Sequence, residues 1–250
     1  MQGSERIIIE LETVGSTNLY AEQLLASQKV SNGTVIFAIE QTSGKGQGEN
    51  NWESEPGQNL TFSLVLFPGF LRPERQFQLN KAITMGILDY LNKFPLGQEA
   101  SIKWPNDLCV GNRKIGGILI NNTISGHLFA SCVAGIGINI NQKVFSPDIP
   151  NPVSLKALTG STFPLNESLQ DVLECIDVRY GHLRAGNFSL LDREYRRNLL
   201  GYGVWTDYIV NNMVKKGRIL DVDESGKLLL ETADGPILSL LHGEIGFILA

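Results

Sequence analysis

Hydrophobic and polar positions follow two periods along this chain of 250 residues, one close to two and one close to four. The branched run Ile7-Ile8-Ile9-Glu10-Leu11 predicts a strand. Ser16 or Thr17 can cap a helix reaching about Ser27, with Leu19, Tyr20, Leu24 and Leu25 on one broad face. Ser16-Thr17-Asn18 then stands at a helix start, where backbone N–H groups lack intrahelical partners. Thr34 to Ile39 and Leu60 to Leu66 read as strands, and the twenty residues between them are mostly Gly, Asn, Ser, Gln and Glu. A loop of that length inside a compact domain is usually functional or mobile.

Leu79, Ile83, Ile87 and Leu91 recur every fourth residue, which predicts a helix over about 74–93 packed by one side on a sheet. Residues 108–110, 114–121 and 128–140 then read as a strand meander, turning at Gly111-Asn112 and Ser125-Gly126. Leu169, Val172, Leu173, Ile176, Tyr180 and Leu183 form a second helical stripe, and a short helix is expected over 190–199. After Gly201 the pattern changes to five short strand-like runs, 204–210, 214–221, 227–232, 237–241 and 245–249. Asn211-Asn212, residues 223–226 and Asp234-Gly235 separate them. The expected division is residues 1–200 as the main domain and 201–250 as a small closed barrel.

Composition narrows the function classes. With 42% hydrophobic and 19% charged residues the chain can bury one substantial core and a small second module. A net charge of -5 argues against broad binding of nucleic acid or anionic membranes, which both rely on a lysine and arginine excess. Residues 1–30 hold no apolar run long enough for a signal peptide or membrane helix, so a cytoplasmic location is expected. Cys109, Cys132 and Cys175 are odd in number and form no C-x-x-C pair, which suits reduced core thiols.

The candidate chemistry is concentrated in one segment. Lys103-Trp104-Pro105-Asn106-Asp107 is followed seven residues on by Lys114-Ile115-Gly116-Gly117-Ile118-Leu119. Two lysines, an amide and a carboxylate around a glycine pair exceed what a packed core requires and suit a phosphate-bearing ligand; the structural alternative is a surface turn with a solvated Asp107. Upstream, Gly44-Lys45-Gly46-Gln47-Gly48 lets backbone approach an anion, and Trp52 could act as a lid surface, although a flexible linker ending in a strand-edge tryptophan reads the same way. Downstream, Gly135 and Gly137 invite either close ligand approach or a bulge.

Common nucleotide fingerprints are absent. Position 49 is Glu where G-x-G-x-x-G needs its third Gly, and no G-x-x-x-x-G-K-[ST] exists. The run Asp221 to Gly226 imitates an EF-hand loop, but its twelfth position is Thr232, so a hairpin turn is the better reading. His127, His182 and His242 have no metal-ligand spacing and are expected at the surface or in packing.

Taken together, the loop Ser43 to Gly48 with Trp52, the Lys103 to Asp107 and Lys114 to Leu119 segments, and Gly135-Ile136-Gly137-Ile138-Asn139 resemble the catalytic domain of biotin protein ligases over nearly the whole chain. The resemblance implies an α+β fold, a mixed sheet with flanking helices related to class II synthetases, followed by an SH3-like β-barrel. It implies a ligase that uses ATP and Mg2+ to convert biotin to biotinyl-5′-adenylate and then labels a lysine of a biotin carboxyl carrier protein domain. By the same resemblance, Lys114 and Lys45 are catalytic. Ser16, Thr17, Asn18, Gln41, Gly117 and Gly137 hold biotin, and Gly44, Lys45, Gly46, Gln47, Trp52, Asn106 and Asn139 hold the nucleotide. Asp107 takes the magnesium.

The chain departs from the family in its loop, where many relatives carry several arginines and here Lys45 is the only cation between Gly44 and Trp52. No N-terminal helix-turn-helix is expected, hence no DNA partner and no membrane partner, while a homodimer is left open. The rivals are a lipoate or octanoate ligase or transferase of related fold, and a non-catalytic biotin or adenylate sensor.

Overall fold

The structure is a computed structural model that describes residues 6–48, 50–233 and 235–248. Glu49 of the loop, Asp234 of the last expected turn and Leu249 at the end of the last expected strand lie outside the described residues.

Seven strands form the main sheet: β1 (Ile8–Val14), β2 (Val35–Gln41), β3 (Leu60–Leu66), β4 (Ala100–Lys103), β5 (Asp107–Val110), β6 (Arg113–Ser125) and β7 (Leu128–Ile138). Their order is β1-β2-β3-β7-β6-β5-β4. β1 and β2 are parallel, joined through helix α1 (Thr17–Ser27), and the other pairs are antiparallel, so the sheet is mixed as expected. β3 is buried along its whole length because both faces are covered. Leu60, Phe62, Leu64 and Leu66 join the large core on one side, while Val65 packs with Ala21, Ile36 and Val133 under α1 on the other.

The large core is built by helix α2 (Gln76–Leu91), the short α3 (Leu155–Thr159), α4 (Leu165–Arg184) and α5 (Phe188–Arg197). The helical stripe over 74–93 resolves into a 3-10 turn at Pro73–Arg75 followed by α2. Two elements escaped the sequence pattern. β4 is too short to show a period, and α3 is a single turn capped by Ser154, whose side chain accepts from the Ala157 N–H.

Helix α1 corrects another expectation. Its buried residues are Thr17, Asn18 and Ala21, whereas Leu19, assigned to the apolar face, is 48% exposed. Polar contacts at the helix start, rather than apolar area, orient its first turn on the sheet.

The C-terminal residues form a second, antiparallel sheet of β8 (Thr206–Val210), β9 (Met213–Val222), β10 (Leu228–Thr232), β11 (Ile237–Leu240) and β12 (Ile245–Phe247). Asn211 and Asn212 both adopt positive φ, the conformation that a two-residue hairpin joining β8 to β9 needs. The order is β11-β10-β9-β8-β12, the five expected strands in one antiparallel sheet, and no pairing joins β11 to β12 among the described residues. Tyr208, Val210, Ile219, Val222, Leu228, Leu230 and Leu240 belong to the same buried cluster as the helices. Packing is therefore continuous across residues 200 and 201.

Candidate active site

A cleft of about 620 Å³ runs across the main sheet from the start of α1 to the C-terminal sheet. That volume suits a small organic ligand. At one end, Ser16, Thr17 and Asn18 are buried although they line the cleft. The Thr17 N–H and hydroxyl both donate to Gln41 Oε1, at 2.8 and 3.1 Å. Gln41 therefore has its amide N–H groups left to offer the cleft. Asn18 Nδ2 donates to the Leu119 carbonyl at 3.2 Å. Beneath them lies Ser63, wholly buried, with its Oγ 2.7 Å from Thr17 Oγ1 and 2.6 Å from Asn18 Oδ1. Its single proton serves one acceptor at a time.

The middle of the floor is the paired Gly117 and Gly137 of β6 and β7. A Cβ on Gly117 would meet Lys114 and Asp107 at ordinary contact distance, so this glycine opens onto the charged part of the site. Gly116 does not, because its open side is closed by the Gly137 carbonyl. The two glycines of β7 are required by the protein's own side chains. A Cβ on Gly135 would overlap the Asn18 amide, and one on Gly137 would overlap the Trp52 indole.

Lys114 Nζ is 2.5 Å from Asp107 Oδ1 and 5.9 Å from the centre of the Trp52 ring. The backbone holds the lysine independently of this ion pair. Its N–H donates to the Asn151 carbonyl at 2.7 Å, and its carbonyl accepts from Val153 N–H at 2.9 Å. Asn106 is likewise fixed, donating through Nδ2 to the Ile118 carbonyl while its own carbonyl accepts from Ile118 N–H. Asn139 lines the cleft with Nδ2 on the Val153 carbonyl at 3.1 Å.

The loop after β2 is more structured than its composition implied. Gly46 N–H donates to the Asn50 carbonyl, Trp52 N–H donates to the Gly44 carbonyl, and Lys45 bridges Asn51. The Gly46 and Trp52 amides are therefore occupied by the loop itself rather than presented to an anion. Lys45, Gly46, Gln47 and Trp52 line the cleft, whereas Gly44 closes the hairpin against the Trp52 carbonyl and lies outside it.

Cys109 also lines the cleft, but burial, with a smaller push from Asp107, raises its thiol to about 11. It stays protonated near neutral pH and is no nucleophile there. Among the described residues no three His, Cys, Asp or Glu side chains are grouped to hold a metal ion, and Asp107 is engaged with Lys114. A divalent cation here would need most of its oxygen ligands from outside the protein, and the carboxylates that line the cleft are those of Glu53, Asp107 and Asp148.

Several residues in or beneath the cleft were given no site role by the resemblance. Ser63 could have been found as a hydroxyl inside the apolar run Leu60 to Leu66. Lys103 lies in the central segment, with Nζ 5.7 Å from the Phe247 ring centre. His242 and Phe247 reach the cleft from the C-terminal sheet, and nothing local in the sequence marks them.

The fold and this cleft define an α+β protein with a ligand-sized cleft on its main sheet and a C-terminal β module. The model of the biotin/lipoate A/B protein ligase family matches residues 10–139, and that of the biotin protein ligase C terminal domain matches residues 209–247. The chain belongs to the biotin/lipoate A/B protein ligase family, on the biotin protein ligase branch. It is 31% identical over 234 residues to the biotin–[acetyl-CoA-carboxylase] ligase of Paracoccus denitrificans, covering 90% of this chain and 94% of that one. It is 29% identical to the bifunctional ligase/repressor BirA of Bacillus spizizenii, covering 91% of this chain and 70% of that protein. The biotin protein ligase from Aquifex aeolicus in complex with biotin and ATP superposes with a TM-score of 0.78 at 27% identity, covering 96% and 97% of the two chains. No helix among the described residues is long and apolar enough to cross a membrane.

Proposed function

We propose that this protein joins biotin to ATP as biotinyl-5′-adenylate and then passes the biotinyl group to a lysine of the biotin carboxyl carrier domain of a biotin-dependent carboxylase in the cytoplasm. The observation that carries this reading is a single cleft with a hydrogen-bonding end at Ser16, Thr17, Asn18 and Gln41 and a cationic centre at Lys114, separated by the side-chain-free Gly117. That order matches a ligand with a polar ring system, an apolar chain and a terminal carboxylate.

In the first step a biotin carboxylate oxygen bonds to the α-phosphorus of ATP while the bond to the bridging oxygen breaks and pyrophosphate leaves. Two anions meet, so a fixed cation is needed where charge accumulates. Lys114 supplies it, and Lys45 adds to it from the loop. Asn106 and Asn139, with Gln47, Gly46 and Trp52, form the nucleotide side. Asp107 would be the carboxylate able to hold a magnesium ion accompanying ATP, which would screen the phosphates. In the second step a neutral carrier lysine attacks the acyl carbon of the mixed anhydride, forming the amide and releasing AMP. No enzyme nucleophile is required, which agrees with a protonated Cys109.

The same proposal divides the chain into a biotin and ATP domain over residues 1–200 and a C-terminal module over 201–250 that closes the nucleotide side of the cleft. The test is release of pyrophosphate on mixing ATP, magnesium and biotin, followed by labelling of a purified carrier domain. Release with lipoate or octanoate but not biotin would move the assignment to the related acyl ligases. Biotin binding without release would make the protein a sensor.

A further inference from the structure

The hairpin that imitates a calcium loop has a different use. Asp223 Oδ1 accepts from Ser225 N–H at 2.9 Å, Ser225 Oγ at 2.7 Å and Lys227 N–H at 3.0 Å, closing a tight turn between β9 and β10. Burial opposes the charge on this carboxylate, but these donors outweigh it and hold the group below its ordinary range. The turn carries Gly226 at φ +95°, and a Cβ there would overlap the ring of Phe77. Both facts restrict the position to glycine. The Gly226 carbonyl accepts the indole N–H of Trp104 at 3.0 Å, and the His242 ring lies 6.4 Å from that indole.

The residue after Trp104 is held from the other side. The Pro105 carbonyl accepts from Tyr195 Oη at 3.1 Å, and Tyr195 meets Phe77 edge to face at 5.7 Å. Buried Lys81 pairs with Asp192 at 2.7 Å, reaches the Val222 carbonyl at 3.5 Å, and stands within 6 Å of both rings. Helix α5 and one hairpin thus hold Trp104-Pro105, with α2 packed against both of them, and the next two residues are Asn106 and the Asp107 that binds Lys114.

We infer that Gly226 and Trp104 are positioning residues, through which the C-terminal sheet sets the place of Asn106, Asp107 and Lys114 for adenylate formation. The inference rests on the adenylation reading above. The end of the cleft formed by Ser16, Thr17, Asn18 and Gln41 is built by other elements and does not depend on this clasp. Loosening the clasp therefore lowers turnover and leaves biotin recognition intact, because displacing a reacting group by about 1 Å can cost about 10²-fold in rate.

The experiment compares the full chain with Trp104→Phe, which keeps the ring and loses the N–H, and with Gly226→Ala. Pyrophosphate release gives kcat and the biotin KM, and the indole ¹H–¹⁵N resonances of the three tryptophans report the hydrogen bond directly. The resonance lost in Trp104→Phe identifies Trp104. The expected result is a kcat lower by about 10- to 10²-fold in both variants with the biotin KM within about twofold. In Gly226→Ala the Trp104 resonance shifts and exchanges faster with solvent. If Gly226→Ala fails to fold, Trp104→Phe carries the kinetic test and the protection of the Trp104 indole in the unaltered protein carries the structural one. An unchanged kcat in Trp104→Phe overturns the inference, and so does a rapidly exchanging Trp104 indole in the unaltered protein. Absence of pyrophosphate release from the unaltered protein would instead refute the adenylation reading, with the indole resonances still deciding whether the clasp exists.

Discussion

Replacing Lys114 by alanine separates catalysis from stability, because the structure assigns the side chain little of the second. Its ion pair with Asp107 is only partly buried, with the two side chains 34% and 22% exposed. Pairs of that kind contribute about 0.2–1 kcal/mol once solvent screening is counted. The backbone bonds to Asn151 and Val153 survive the substitution, so strand β6 keeps its place. For a chain of this size the expected loss in Tm is about 2–4 °C at most. In the adenylation step the same charge faces two anions. A unit charge about 4 Å from a phosphate oxygen interacts with about 4 kcal/mol at an effective dielectric of 20, and removal of one fixed stabilising donor typically costs about 10²–10³ in rate. The assays are pyrophosphate release under saturating ATP and biotin, calorimetric biotin binding, and thermal unfolding. Turnover within about threefold of the unaltered protein would refute the role given to Lys114, since it would leave under about 1 kcal/mol of transition-state stabilisation to explain. A Tm loss much beyond 4 °C would refute the claim that the pair is dispensable to the fold.

Three other outcomes are expected. Ser63→Ala removes the shared donor beneath Thr17 and Asn18 and should cost about 1–3 kcal/mol of stability while raising the biotin KM more than it lowers kcat; calorimetry showing unchanged biotin affinity would exclude Ser63 from the recognition end. Cys132 and Cys109 are buried, which pushes their thiols up to about 12 and about 11. Because the raised group is neutral in the folded state, its stabilising contribution is intact below the ordinary thiol value near 9 and lost as pH climbs towards 11–12. Thiol reagents at pH 8 should leave both cysteines untouched until the chain unfolds, and fast labelling of the native protein would contradict the burial. Finally, Lys45 is the only cation between Gly44 and Trp52, so adenylate is expected to escape more readily than from a relative with several arginines there; without carrier, a lysine-rich bystander protein should be labelled faster, and equal labelling by the two enzymes would show that other contacts retain the intermediate.

Local periodicity determined much of this protein. The strand Leu60–Leu66 and the start of α1 at Ser16 and Thr17 follow from nearest-neighbour chemistry, and so do the turns at Gly111-Asn112 and Asn211-Asn212. Most of the residues that the resemblance to biotin protein ligases named do line the cleft, including Lys114, Asp107, Gln41 and Gly117. What the sequence could not express were relations between distant positions. That Gly135 and Gly137 make room for Asn18 and Trp52 depends on strand register and loop closure. That Asp107 neutralises Lys114 depends on a hairpin bringing them together. Leu19 faces solvent because polar bonds from Thr17 and Asn18 to Gln41, Ser63 and Leu119 orient the helix start more strongly than the pattern of its leucines. His242, Phe247 and Gly226 come to the cleft, or to the residues that build it, from more than one hundred positions away. Local pattern reports which face of an element is apolar, and only packing decides which elements share a face.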